Sequence, residues 1–389
     1  MRRITLIFVS LVLVLANVHH VFAFDDVIVI GFDIPLTGEF KVVGNYAKRT
    51  GELLLKQINA AGGIRVGEKT YKVEFLYGDN NSTPTGASNQ VLSLVTKGKV
   101  LAIVGPLSSR QAVPAGGVAN SFSTTMIAPT STAPATTKDR PFVFRCGYVV
   151  EVQSPVLIKF ASKEFGAKKA AILYDIVSDY PRSMAKNYKE VFEQINGPGS
   201  IVAYEEFRTG DVDFSNQLKK IIASNADILF TPQHYFEVPL IIRQAKALGW
   251  NKPIMGSNSW AVGNLAEECG KDCKGQFFAG NFAAGGVVGV AKQFVDVYQK
   301  EYNELPDEVS ALTWDSIQLL LKAIQNTGGL TGKLLQDRLL IKDQLKILKK
   351  YDGVTGEITY KGSGNPDKCA VIIKIDDQGM FTHHETICP

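Results

Sequence analysis

Short β-branched apolar runs alternate with longer amphipathic stretches along most of this chain, and that alternation excludes most folds. VIVIGFDI (27–34) ends at Pro35. After a TGEF turn a helical pattern runs to Asn59, with Leu54 and Ile58 on one face, and stops at Gly62-Gly63. KVEFLYGDN (72–80), a helical stretch to about Gly98, VLAIVGP (100–106), a further helix and TTMIAP (124–129) continue the pattern. Strands joined in this way by helices predict a parallel sheet covered on both faces.

After PFVFRC (141–146) the pattern restarts. AAILYD (170–175), VAYEEF (202–207), ADILFTP (226–232) and KPIMGSN (252–258) each lie beside a helical stretch, among them PLIIRQAKALGW (239–250), which closes at Gly249. Residues from about 283 to 350 are mostly helical, with VSALTWDSIQLLLKAIQNTGG the clearest helix. A pair of strands, GEITY (356–360) and AVIIKIDD (370–377), finishes the chain. Two α/β units in one chain predict two lobes, and the length is too great for one ordinary core.

The first 23 residues stand apart from that pattern. Met1-Arg2-Arg3 gives a positive start, ITLIFVSLVLVLANV an apolar stretch, and Val21-Phe22-Ala23 a small-residue cleavage site. The expectation is a cleaved secretory signal, 1–23, with the mature chain beginning near Phe24; an uncleaved anchor is the alternative. No Cys follows the cut, so lipid attachment there is not indicated. Removing Arg2 and Arg3 from the 42 Lys and Arg leaves 40 against 38 Asp and Glu. Such a balance, without a dense basic run, argues against nucleic acid as a partner. No later stretch is long and apolar enough to span a bilayer, so a soluble, exported protein is expected.

Export bears on the five cysteines at 146, 269, 273, 369 and 388, since an exported chain meets oxidising conditions. Cys269 and Cys273 bracket the small loop ECGKDC, and Cys369 and Cys388 bracket the C-terminal segment. Two local disulfides with Cys146 buried and free is the preferred pairing, which spacing alone does not prove. Zinc is the rival, but C-x₃-C without a matched second pair is a weak metal motif.

Parallel sheets bind ligands beyond the carboxyl ends of their strands, beside helix N-termini. GGIRVGEKT (62–70) approaches a phosphate loop, but Glu68 separates Gly67 from Lys69 and the segment follows a helix, so it reads as a polar helix-to-strand turn. No G-x-G-x-x-G opens the first unit. GPLSS is not a nucleophile elbow. His19 and His20 leave with the signal, His383 and His384 sit in what reads as a solvated terminal tail, and only His234 lies near a strand end. No serine–base arrangement emerges, so an enzyme is not expected.

A repeated local pattern remains. Ser108-Ser109 follow VLAIVG, and Thr130-Ser131-Thr132 follow TTMIAP; each is strand, proline, hydroxyls, then a helix-permissive stretch. Free N–H groups and the helix dipole favour an anion there. Either junction alone is an ordinary N-cap; two on neighbouring strand ends make a carboxylate cradle a competitive reading.

The segments IPLTGEF, INAAGGI, IVGPLSSRQAVPA, MIAPTSTAP, FVFRCG, DYPRSMA, TPQHYFEVPLIIRQAKALG and IMGSNSW occur in an order that resembles the periplasmic solute-binding proteins of branched-chain amino acid ABC transporters. The resemblance covers nearly the whole mature chain. It implies a type I periplasmic binding fold, with two doubly wound lobes joined by three crossovers near 145, 281 and 354. The N-terminal lobe is then 24–145 with 282–353, and the C-terminal lobe 146–281 with 354–389. It implies a ligand carboxylate held by Ser109, the Thr130 backbone and Thr132, with Ser108 and Ser131 beside them, and Tyr180 closing from the second lobe. No cofactor or metal is implied.

Three departures from the family pattern mark the rest of the site. Val43 precedes Gly44 where the family commonly has an aromatic, and Pro232-Gln233-His234-Tyr235 replaces P-G-Y-Y. Asn258 stands where amino-acid binders place an acid for the ligand ammonium. An amide supplies no compensating charge for a buried cation. Glu237 is a substitute acid or, as preferred, a solvent-facing helix residue. Arg110 either adds charge for a more anionic ligand or, as preferred, is an exposed first-turn residue. The expected function is a periplasmic solute-binding protein that delivers an amino acid or related small carboxylate to a permease and its ATPase. The alternatives are a binding protein for a signalling receptor, or a binder of an organic or aromatic acid lacking an α-ammonium. An adjacent permease and ATPase in the genome would favour transport.

Overall fold

The computed structural model describes residues 27–263 and 265–388; the expected leader, 1–23, lies outside them. The first lobe is built on β1 (Val27–Ile34), α1 (Lys41–Ala60), β2 (Ile64–Val66), β3 (Lys69–Asp79), α2 (Pro84–Thr96), β4 (Ala102–Val104), α3 (Ser109–Ser121), β5 (Thr125–Ala128) and β6 (Val143–Arg145). Its sheet runs β2-β3-β1-β4-β5-β6 and is parallel apart from the β2–β3 hairpin. Strands β4, β5 and β6 are buried throughout, as expected of strands covered on both faces.

The second lobe follows with α4 (Val150–Phe165), β7 (Ala170–Asp175), α5 (Asp179–Asn196), β8 (Ile201–Phe207), α6 (Ser215–Ala223), β9 (Ile228–Phe230), α7 (Val238–Ala247), β10 (Ile254–Gly256), α8 (Leu265–Cys269) and β11 (Phe277–Gly280). The chain then returns to the first lobe as α9 (Gly289–Tyr302), α10 (Glu308–Asn326) and α11 (Leu334–Lys346), with α10 packed on α1 and α11. Helix α10 is buried from Glu308 through Ile317. A helix enclosed on all sides needs a cap, and Asp307 accepts the Ser310 N–H at 2.8 Å.

A small antiparallel sheet of β12 (Tyr351–Gly353), β13 (Gly356–Tyr360) and β14 (Pro366–Asp367) precedes the last two strands, β15 (Ala370–Ile375) and β16 (Phe381–Ile387). These two complete the second sheet, ordered β16-β15-β11-β10-β9-β7-β8, as antiparallel additions to a parallel core.

The chain therefore passes between the lobes three times, and the third passage differs from the expected position. GEITY does not pair with AVIIKIDD and stays with the first lobe. Tyr360 donates to the Arg145 carbonyl at 2.7 Å, and Asn365 Oδ1 takes Thr137 Oγ1 at 2.7 Å and Arg145 Nε at 2.8 Å. The passage falls at Lys368–Cys369 rather than near 354.

Two further expectations are corrected. Residues 62–70 are not a plain turn: Ile64–Val66 pairs antiparallel with Lys69–Tyr71 as a hairpin. His383 and His384 are exposed as expected, but they do not sit in a tail. They belong to β16, and the His384 ring packs against Phe160 and Phe277 with centroids 5.6 and 5.2 Å apart. The disulfides are Cys269–Cys273 and Cys369–Cys388, with Cys146 buried and free.

Candidate functional site

The first-lobe wall of the cleft begins where β4 ends, at a cis Gly105–Pro106 bond. Leu107 and Ser108 follow, and Ser108 is the N-cap residue of α3 with extended backbone. Its side chain does not cap the helix. The Ser108 Oγ is buried without a hydrogen-bond partner, at an end where helix geometry leaves N–H groups without carbonyls.

The neighbouring hydroxyls hold this loop in place. Ser109 Oγ lies 2.9 Å from Ser131 Oγ and accepts the Ala133 N–H at 3.2 Å, and Ser131 continues to Thr136 at 2.7 Å. Thr130 Oγ1 donates to the Leu107 carbonyl at 2.7 Å. The buried Arg145 guanidinium closes the back by donating to the Ser131 and Ala133 carbonyls, each at 2.9 Å. Of the two serines, Ser109 is thus a strut and Ser108 faces the cleft unspent. Helix α1 supplies Val43. The next residue, Gly44, sits where an added Cβ would lie 1.8 Å from the Pro35 carbonyl, so only glycine permits this approach of helix to loop.

The second-lobe wall centres on a 3₁₀ turn, Asn258–Trp260. Gln153 holds Asn258 from two sides, accepting its backbone N–H at 2.8 Å and donating to Oδ1 at 3.1 Å. Tyr180, in the first turn of α5, contacts the Ser257 hydroxyl and reaches Asn258 Oδ1 at 2.9 Å. Trp260 lies under Gly256, where an added Cβ would meet the indole at 2.1 Å, and donates to the Thr231 carbonyl at 3.2 Å.

His234 completes this wall. Its ring meets Phe40 of the first lobe edge-on, with centroids 4.9 Å apart, and tilts against Tyr180 at 5.9 Å. Burial, with the nearby Arg110 charge, pushes its pKa down to about 3, so the imidazole is neutral at neutral pH. Nε2 is buried without a partner.

Three charged residues frame the site. Arg110 is not an exposed first-turn residue: it donates to the Ser82 carbonyl at 3.0 Å, pairs with Glu39 at 3.3 Å and lies over the Phe40 ring. Glu237 is not solvent-facing. It is buried at the start of α7, accepts the His234 N–H at 3.3 Å, and burial beside Asp175 pushes its pKa up to about 8. Glu308, unremarked in the sequence, is wholly enclosed. It accepts the backbone and side-chain N–H groups of Asn281, the latter at 2.9 Å, interacts with the Asn258 side chain, and is raised by burial to about 7.

Phe40, Val43, Leu107, Val262 and Val309 make the apolar lining, and Ser108, Ser109, Thr130, Tyr180, His234, Asn258 and Ser259 the polar one, around about 40 Å³ of space. One water needs roughly 10–15 Å³ on this measure, so this space suits a small molecule rather than a nucleotide or sugar chain. Ser131, Thr132 and Tyr235 are outside this lining; Tyr235 turns onto Gly263. Phe40 ends the segment IPLTGEF and Val309 opens the helix VSALTWDSIQ, but neither carries a local sign of a cleft role, and Val262 and Glu308 belong to no quoted segment; all four meet the site only through folding. Among the described residues no group of three or more His, Cys, Asp or Glu is placed to hold a metal.

The family model described as periplasmic binding protein matches residues 27–380. The chain belongs to that family. It is an extracytoplasmic solute-binding protein with two α/β lobes and a cleft between them. Similar proteins include the Leu/Ile/Val-binding protein homolog 3 of Brucella melitensis, 26% identical over 347 residues, spanning 87% of this chain and 88% of the relative. Among solved structures, the leucine-binding protein LivK of Thermotoga maritima is 27% identical with a TM-score of 0.83, covering 93% of this chain and 99% of that one. LivJ of Streptococcus pneumoniae, in complex with isoleucine, is 29% identical with a TM-score of 0.83, covering 93% and 100%.

Proposed function

We propose that this chain captures a small carboxylate, an amino acid or a related acid, between its lobes and delivers it to the permease and ATPase of an ABC importer. The observation that carries this reading is Ser108. Its hydroxyl is buried, unpartnered and set at the open N-terminus of α3, where N–H groups and the helix dipole attract an anion without fixing a permanent charge. The ligand touches both walls, so binding favours the closed arrangement by its differential contacts. The periplasm is the proposed compartment, reached through the leader at 1–23.

On this reading the solute is delivered chemically unchanged. With its pKa lowered to about 3, His234 is a weak general base for Ser108, which does not favour nucleophilic chemistry there. The test is thermal stabilisation of the ligand-stripped mature chain by amino acids and by their deaminated acids. A ligand of the folded state raises the melting temperature by mass action. A rise with one such compound supports the reading; no rise with any of them contradicts it.

A further inference from the structure

Most hydrogen-bonding capacity around the cleft is already used. Asn258 Oδ1 takes both Tyr180 Oη and Gln153 Nε2, and its backbone N–H goes to Gln153. Ser259 donates to the Gln233 carbonyl, Thr130 to Leu107, and Ser109 is tied to Ser131. Two lining side chains keep a buried polar atom without a partner: Ser108 on the first lobe and His234, through Nε2, on the second. Buried polar atoms in native proteins are normally paired, so each points to a group on the ligand.

The charges decide what kind of group His234 meets. No Asp or Glu belongs to the lining. Glu308 lies behind Asn258 and is occupied by Asn281, while Glu237 faces the His234 backbone. The charge that, with burial, lowers the imidazole pKa is the Arg110 cation. An ammonium enclosed here would be buried without a counter-charge, which is costly. A hydroxyl or oxo group would pair with neutral imidazole at no such cost.

We infer that His234 is a specificity-determining residue, reading an uncharged hydroxyl or oxo group on a small carboxylic acid whose carboxylate lies against Ser108. This rests on the solute-binding reading above and narrows its ligand from amino acids to their hydroxy or oxo counterparts.

The test uses three carbon frames, those of alanine, leucine and phenylalanine. Each is offered to the ligand-stripped mature chain as the amino, hydroxy, oxo and unsubstituted acid, and binding is measured by calorimetry. On the frame that binds best, the hydroxy or oxo acid should bind at least about 10-fold tighter than both the amino acid and the unsubstituted acid, about 1.4 kcal/mol. His234→Phe should abolish that preference over the unsubstituted acid, and His234→Gln, which keeps a hydrogen-bonding end, should retain part of it. An amino acid binding as tightly as its hydroxy counterpart overturns the inference, whatever the variants do, and so does a preference that survives His234→Phe. Binding by the amino acids alone overturns only this inference. Binding by none of the twelve compounds, nor by any acid of the wider screen, removes the solute-binding reading with it.

Discussion

Phe40 of the first lobe and His234 of the second meet edge to face, their ring centroids 4.9 Å apart. This contact joins the two walls directly, and Phe236 packs against both rings, at 5.4 Å from Phe40 and 5.7 Å from His234. Aromatic pairs of this kind contribute about 0.5–1.5 kcal/mol beyond area burial. Phe40→Ala removes this contact between the walls and, because Phe40 is itself a buried core residue, also costs stability. The expected result is ligand binding weakened by about 10-fold, read by calorimetry. A lowered melting temperature of the ligand-free chain should accompany it, since the buried Phe40 ring is lost from the core.

Buried acids set the pH dependence of stability. Glu237 is raised by burial and by Asp175 to about 8, and Glu308 by burial to about 7, against an ordinary value of 4.5. Arg110 and Lys368 oppose these shifts without cancelling them. Between the ordinary and raised values the folded chain keeps protons that the unfolded chain releases, so stability present at lower pH is lost as pH rises through 7 to 8. His234 acts in the other direction. Its pKa is lowered from 6.5 to about 3, so its contribution is lost only as pH falls below 6.5. The melting temperature should therefore decline from pH 6.5 to 8.5, and Glu237→Gln should flatten the decline. A melting temperature that rises over this range contradicts the account.

The cysteines give a count as a prediction. Cys146 is buried and pushed up to about 12 by that burial, and the other four are paired. A thiol reagent should find no reactive group in the native chain and one after unfolding without reductant. Reduction should loosen β16, which Cys388 ties back to the start of β15 across a separation of 19 residues. Loops of that size are stabilised by about 3 kcal/mol in the chain-entropy model. The shorter Cys269–Cys273 loop should matter less.

The alternation of strands and helices was legible because each element carries its own local signal: AAILYD and GEITY match their strands at both ends. Where signals were tertiary, the reading failed. GEITY was recognisable as a strand, yet its allegiance to the first lobe depends on the bond from Tyr360 to the Arg145 carbonyl, far away in sequence. His383 and His384 read as polar tail because both are exposed on an edge strand, while the contact of the His384 ring with Phe160 and Phe277 depends on residues far away in sequence. Within the cleft, two adjacent serines were indistinguishable on paper. Only the position of the TSTAP loop makes Ser109 a strut and leaves Ser108 free. Glu308 had no sequence signal at all, being brought to Asn258 by a helix that starts fifty positions later.

The central claim is that Ser108 at the head of α3 holds the solute's carboxylate. It is tested most directly by titrating the best ligand from the stabilisation screen into the ligand-stripped wild type and into Ser108→Ala. A hydrogen bond to a charged group contributes about 1.5–3 kcal/mol. The account predicts affinity reduced by about 10-fold or more, with the melting temperature of the ligand-free chain unchanged. Wild-type affinity in Ser108→Ala would contradict it.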